Sequence, residues 1–297
     1  MNCYNGERFL RESIDSVRKQ TYSDWEIIFW DNCSTDCSAE ITKAYDDPRI
    51  KYYLAPKHTT LYAARDAALE YCNGEYLAFL DCDDLWREDK LEKQIATMEQ
   101  NPNVVLVYTN TIFFNSETGF QKVLNNKPKL SGYIFQENFL EYKFSLETVI
   151  VRMSTIRQNN IRFGLAYNLI GDRDFLSMIC FYGDVHYIDE TLGSWRIHNN
   201  NFSKSLDESY SWELRKMYLR FINHFGDKIT RKMRINLYNE IVFRDALVHL
   251  EDSGYIVRRK LRKINYCYPQ GLFLRILSFL PKKMAISIIE FIKRTNT

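Results

Sequence analysis

The stretch EYLAFLDCDDLW, residues 75–86, decides how this chain is read. Its first half is a continuous apolar run, too short for an ordinary helix, preceded by the turn pair Asn73-Gly74 and followed by three carboxylates within four residues. Such a run reads as a buried strand whose end delivers Asp81, Asp83 and Asp84 to one place. Carboxylates so close together repel unless a cation or a donor-rich ligand sits among them, and hard oxygen ligands at that spacing suit Mg2+ or Mn2+. A plainer reading stands beside this one, in which Asp83 and Asp84 cap a helix starting near Arg87.

Working outward, the same arrangement recurs. Upstream, "WEIIFW" (residues 25–30) is a second buried strand ending at Asp31-Asn32, and "RIKYYL" (49–54) a third, after Pro48. Between them "DNCSTD" supplies turn residues and residues 39–45 a short helix. Phe9, Leu10, Ile14 and Val17 recur at helical spacing, and the Ala- and Leu-rich segment 61–72 reads as a helix stopped by Asn73-Gly74. Downstream, residues 87–100 form a charged helix and "VVLVYTNTIFF" (104–114) another strand. Helices alternating with strands that are apolar throughout imply a mostly parallel sheet covered by helices, and in such sheets ligands gather beyond the carboxyl ends of the strands. Past Asn115 the pattern loosens into a strand at "ETVIVR", a helix over 172–182, and two short strands at "VHYI" and "LGSWRI". Residues 207–252 read as mostly helical.

Composition narrows the class. With 297 residues, 45% hydrophobic and 26% charged, the chain is long enough for a full core and is neither fibrous nor disordered. Seven cysteines without paired finger spacing fit a reducing compartment; Cys33 and Cys37 are close, but no second ligand pair accompanies them. The first residues lack the basic and apolar blocks of a secretion signal, so a cytoplasmic location is expected. The net charge of +2 hides an asymmetry: residues 255–297 carry ten basic side chains against Glu290, a local +9 that leaves −7 on the rest. Two apolar blocks in that tail, "LFLRILSFL" and "MAISIIEFI", are each about half the ~20 residues that a spanning helix needs. Flanked by Lys and Arg, they read as interfacial helices on an anionic membrane, or else as a helical pair packed on the protein's own core. Their aliphatic rather than aromatic interleaving argues against nucleic acid.

Six motifs in order, "NCYNGERFL", "DNCSTD", "AARDAAL", "FLDCDDLW", "GDRDF" and "WRIH", make the chain resemble a family-two glycosyltransferase with the GT-A fold. The resemblance covers about residues 1–205, with a helical region over 206–297 beyond it. It implies an inverting, metal-dependent enzyme that moves a sugar from a nucleotide-diphospho-sugar, a UDP-sugar foremost, to a hydroxyl of a glycan or lipid-linked acceptor in surface polysaccharide synthesis. By the same resemblance Asp31 holds the nucleotide base, Asp81 lies near the ribose, and Asp83 binds a divalent cation (Mg2+ or Mn2+) with His198 as a further ligand. Arg65 and Arg196 lie near the donor diphosphate, and Asp172 is the catalytic base for a single displacement.

The chain departs from that pattern at Asn32, Cys33 and Asp66, where the family often has Asp, Gly and Asn, and at Gly171, where many members carry Glu. This last leaves Asp174 as a substitute base. The family also has a whole strand ahead of "NCYNGERFL", so the first strand is expected to be missing from the chain as given, which keeps open a non-catalytic nucleotide-sugar binder or scaffold. A dinucleotide-dependent oxidoreductase is disfavoured because no Gly-x-Gly-x-x-Gly turn follows any strand. Trp25, Trp30 and Trp86 read as packing residues, and His58 has no evident partner.

Overall fold

The computed structural model describes residues 1–124, 130–198, 201 and 209–248. The chain divides into two compact units, Met1–Asn201 and Phe202–Thr297. In the first, β1 (Asn2–Cys3), α1 (Leu10–Arg18), β2 (Ile27–Asp31), α2 (Ser38–Lys43), β3 (Ile50–Leu54), α3 (Leu61–Leu69), β4 (Tyr76–Ala78), β5 (Leu85–Trp86), α4 (Lys90–Gln100) and β6 (Val104–Phe114) follow in that order. Then come β7 (Gln121–Val123), α5 (Phe135–Leu140), β8 (Ile150–Arg152), α6 (Met153–Gln158), α7 (Gly171–Cys180) and β9 (Asp184–Arg196). In the second unit the described residues form α8 (Ser209–Phe225) and α9 (Arg231–Val248). Both apolar tail blocks and the basic tail lie outside the described residues. No described helix is long and apolar enough to cross a membrane.

The strands form two sheets, β1-β2-β3, all parallel, and β4-β8-β6-β9-β5 with β7 paired to β6. The expectation of a mostly parallel sheet needs correction in the second one. There only β6 and β9 run parallel, whereas β4–β8, β6–β8, β5–β9 and β6–β7 are antiparallel. A continuous apolar run reports burial on both faces rather than direction, and β6, buried over Val104–Thr111, is flanked by one neighbour of each kind. "VHYI" and "LGSWRI" are parts of one strand, β9, kept on β6 across register shifts near Thr109–Thr111 that absorb the polar middle of the strand.

The helices cover the sheets as their periodicity dictates. Leu10, Ile14 and Val17 of α1 are buried, and α3 starts on the Thr60 hydroxyl, which accepts from the Ala63 N–H at 3.3 Å. The opening turn is tied to the loop after β2: the Glu7 N–H donates to Asp36 Oδ2, the Cys37 N–H to Glu7 Oε2, and the Gly6 N–H to Ser38 Oγ. The first strand, β1, lies within "NCYNGERFL", and its Asn2 and Cys3 are in register with Trp30 and Asp31. Behind it Met1, Ile27 and Ile28 on one side and Tyr76–Leu80 on the other line a cavity of about 470 Å3, with Ile95 and Ile150 also in its wall. Asn2 Nδ2 and Trp25 Nε1, both in residues lining this cavity, are buried without a hydrogen-bond partner.

Lys90, at the start of α4, is fully buried. Its ammonium donates to Gln94 Oε1 at 2.7 Å and sits 4.2 Å from the centre of the Trp86 ring. Burial pushes its pKa down from 10.5 to about 7, with the Glu147 charge opposing. Below pH 7 both folded and unfolded chains hold the proton, and the fold bears the whole cost of a buried cation. Between pH 7 and 10.5 the unfolded chain alone keeps it, so the cost shrinks as pH rises. Lys90→Met is therefore expected to stabilise the protein by about 1–3 kcal/mol at pH 6, a gain that fades toward pH 10. Urea unfolding at both pH values checks this; a gain that grew with pH would contradict it.

Candidate active site

The site residues lie at strand ends and on the helices that follow. Asp31, last in β2 and 1% exposed, accepts from the Ser34 N–H (2.7 Å) and the Tyr52 hydroxyl (2.7 Å). Next to it Asn32 exchanges hydrogen bonds with Thr59, and His58 Nδ1 lies 2.9 Å from the Asn32 carbonyl. His58 thus has partners: its ring also packs at 4.2 Å on Tyr4, which is half-exposed. Cys33 has φ +66°, a left-handed backbone that favours glycine, which is the physical reason for Gly as the common residue at this turn.

Asp81 is partly exposed and receives both contacts of one Arg65 nitrogen, at 2.6 and 2.9 Å. Arg65, buried in α3, also lies 5.1 Å over the Tyr62 ring. Asp83 Oδ2 meets His198 Nε2 at 2.9 Å, joining the end of the "FLDCDD" motif to a residue 115 positions away. Burial first, then the Asp81 charge, pushes the Asp83 carboxyl above its ordinary range against the pull of His198. Asp84 and Glu147, both buried, are raised as well, Asp84 by burial and then by the Glu147 charge, Glu147 chiefly by burial. Asp84 does not cap α4. Its Oδ1 accepts from the Arg196 N–H at 2.9 Å.

Arg196 was expected beside a diphosphate, but its guanidinium is engaged within the protein. It is 1% exposed, lies between the Phe9 and Phe114 rings, and donates to the Asp83 carbonyl (2.8 Å), Ser116 Oγ (3.0 Å) and Glu12 Oε2 (2.8 Å). The carbonyl contact clamps the backbone that carries Asp83. Asp172, in the first turn of α7 and half-buried, is held at both oxygens, Oδ1 by the Tyr62 hydroxyl and Oδ2 by the Tyr142 hydroxyl, each at 2.9 Å. Burial and then the Asp172 charge raise both phenol pKa values well above 10, so both remain donors through the physiological range. Asp174 is fully buried and receives the Tyr167 hydroxyl at 3.4 Å, a setting that suits packing and not contact with a substrate.

Tyr62 and Tyr142 had no signal in the sequence, because their role rests on pairings 110 and 30 residues apart. Tyr62 also explains Gly171. A Cβ at this position would lie 2.3–2.5 Å from the Tyr62 ring, so the ring occupies the room that a Glu side chain would need. Gly171→Ala is expected to push Tyr62 off Asp172, costing about 1–3 kcal/mol of stability and lowering activity, whereas Gly171→Ala in a Tyr62→Ala background should cost little more than Tyr62→Ala alone. A double-mutant cycle by thermal unfolding checks the coupling.

Comparison with known proteins agrees with this geometry. The Glycosyl transferase family 2 profile matches residues 1–163. TuaG of Bacillus subtilis, named for teichuronic acid biosynthesis, is 29% identical over 209 residues, covering 68% of this chain and 79% of TuaG. TarS of S. aureus, solved with UDP-GlcNAc, superposes with a TM-score of 0.63 at 16% identity, over 93% of this chain and 88% of TarS. The mannosyltransferase PcManGT of Pyrobaculum calidifontis, solved with GDP-Man and Mn2+, gives 0.56 at 14% identity, over 98% and 78%. These structural likenesses are of the GT-A fold. The mixed sheets, the carboxylates at their strand ends and the profile match over more than half its length together place the chain in glycosyl transferase family 2.

Proposed function

We propose that the chain transfers a sugar, with inversion, from a nucleotide-diphospho-sugar to a hydroxyl of a glycan or lipid-linked acceptor in polysaccharide synthesis. The observation that carries this reading is the meeting of Asp83 with His198, beside an Asp81 held by Arg65. Carboxyls raised by burial and mutual repulsion favour any ligand that adds positive charge. Asp83 and His198 form a hard oxygen and nitrogen donor pair that fits Mg2+ or Mn2+. PcManGT, solved with Mn2+, supports the same assignment. Asp83 and His198 would hold such a cation, which would supply positive charge against a departing diphosphate.

The chain's own residues do the rest. Asp31 and the half-exposed face of Tyr4 receive the base, Tyr4 by stacking and Asp31 by accepting a hydrogen bond. Asp81 lies near the ribose and is kept in place by Arg65, which also brings positive charge toward the diphosphate. Arg196 serves the donor through Asp83, whose carbonyl it holds. Asp172 takes the proton of the acceptor hydroxyl as that oxygen attacks the anomeric carbon; its two phenol partners keep it oriented. The relative TuaG, named for a polymer's biosynthesis, supports a glycan acceptor, and the basic aliphatic segment 255–297 supports work at an anionic cytoplasmic membrane surface.

The test is a panel of UDP-, GDP- and dTDP-sugars with Mn2+, read by nucleotide release with and without lipid-linked glycan acceptors. Release from one donor class, abolished by chelation, is the expected result. A folded protein that binds nucleotide and turns over none of the panel would leave the non-catalytic binder in its place.

A further inference from the structure

Between Asp81 and Asp83 the chain carries Cys82, and the end of β1 brings Cys3 against it. Both are free cysteines, and their sulfurs meet at Gly6. Gly6 makes the approach possible: a Cβ there would lie 2.8 Å from Cys3 Sγ and 2.7 Å from Cys82 Sγ, so any side chain at this position would displace the sulfurs. Cys3 is 2% exposed, whereas Cys82 is half-buried.

We propose that Cys3 and Cys82 form a dithiol pair, a modification site for low-molecular-weight disulfides that closes to a protein disulfide and disables the adjoining carboxylates. The Cys82 sulfur attacks one sulfur of the small disulfide, whose S–S bond breaks and releases a first thiol. Cys3 then attacks the Cys82 sulfur of the mixed disulfide and expels a second thiol. Two protein thiols lose two electrons and two protons, and one small disulfide is reduced to two thiols. A reducing dithiol runs the sequence backward.

The consequence is geometric. A disulfide requires about 2.05 Å between sulfurs, well inside the separation of two free thiols, so closure draws Cys82 toward β1. The residues on either side of it are those paired with Arg65 and His198. Displacements near 1 Å at such a centre cost on the order of 100-fold in rate. The covalent chemistry stands without the glycosyltransferase reading; its effect on the donor rests on that reading.

The experiment exposes the full chain to oxidised glutathione, alkylates the remaining thiols and maps peptides. The expected product joins residues 1–8 to 66–87, with fragmentation assigning the bond to Cys82 and not Cys72, and dithiothreitol removes it. Mn2+-dependent nucleotide binding and sugar transfer should fall at least ~10-fold on oxidation and recover on reduction. Cys3→Ser should halt at a mixed disulfide on Cys82, a stage that mass alone identifies. Both thiols remaining alkylatable while exposed Cys37 is modified would overturn the site. Cross-linking with unchanged nucleotide binding would overturn its coupling to the carboxylates. A cross-link in a protein that never transferred sugar would retain the dithiol and remove the enzymatic reading alone.

Discussion

Asp172→Asn is expected to lower sugar transfer ~100-fold or more while nucleotide affinity stays within about twofold. The substitution keeps the volume of the side chain and one acceptor oxygen, so Tyr62 or Tyr142 retains a partner, but it removes the lone pair that would take the acceptor proton. A structural role would show differently, as loss of stability with a proportional loss of active protein. Steady-state transfer and nucleotide titration on the same preparation separate the two. The comparison variant is Asp174→Asn: at a fully buried position it should lower the melting temperature, with turnover per folded molecule kept. Should Asp172→Asn keep its rate and Asp174→Asn lose it, the base would be Asp174.

The second large effect is expected at Asp83, with opposite signs for function and stability. Asp83→Asn should weaken Mn2+-dependent nucleotide binding ~100-fold and abolish most transfer, because the one change removes a hard anionic ligand. Without a bound ligand the same variant should be about 1 kcal/mol more stable than the parent near neutral pH. The carboxyl it replaces is half-buried beside Asp81 and Asp84, and its raised pKa records that cost. The sign follows from linkage. A carboxyl whose folded pKa is raised costs stability once pH exceeds its unfolded value, so the advantage of Asn should vanish toward pH 4. Arg196 grips the backbone carbonyl of residue 83, so the loop keeps its anchor in the variant. Calorimetric titration with nucleotide, with and without Mn2+, and unfolding at pH 4 and pH 7 check both halves; a variant less stable at pH 7 than its parent would refute the electrostatic account.

Much of the fold was legible because it is written in local apolar runs. "WEIIFW", "RIKYYL" and "VVLVYTNTIFF" each became a strand, and the helix after the opening turn buries the residues its spacing marked. Strand direction was not legible, since burial on both faces looks the same for either. β9 was read as two strands because Asp189 and Glu190 interrupt its apolar pattern on an exposed stretch, and β5 and β7 were too short to register. At the site, residue types at strand ends pointed to the place where Asp31, Asp81 and Asp83 lie, but partners lie far along the chain. That Arg196 would be sealed between two phenyl rings, or that Tyr62 would fill the space beside Gly171, depends on contacts no window of sequence contains.

The split between the two sheets has a mechanical consequence. Asp31, proposed to hold the nucleotide base, ends a strand of the three-stranded sheet, and Asp83 and His198, proposed for the metal, flank strands of the other. A nucleotide held by both would work as a rivet, sharing load between the two sheets. Occupancy should then be felt as stiffness well beyond the pocket: amides along Ile27–Asp31 and Tyr76–Leu80 would exchange their hydrogens more slowly in the loaded protein, in step with one another.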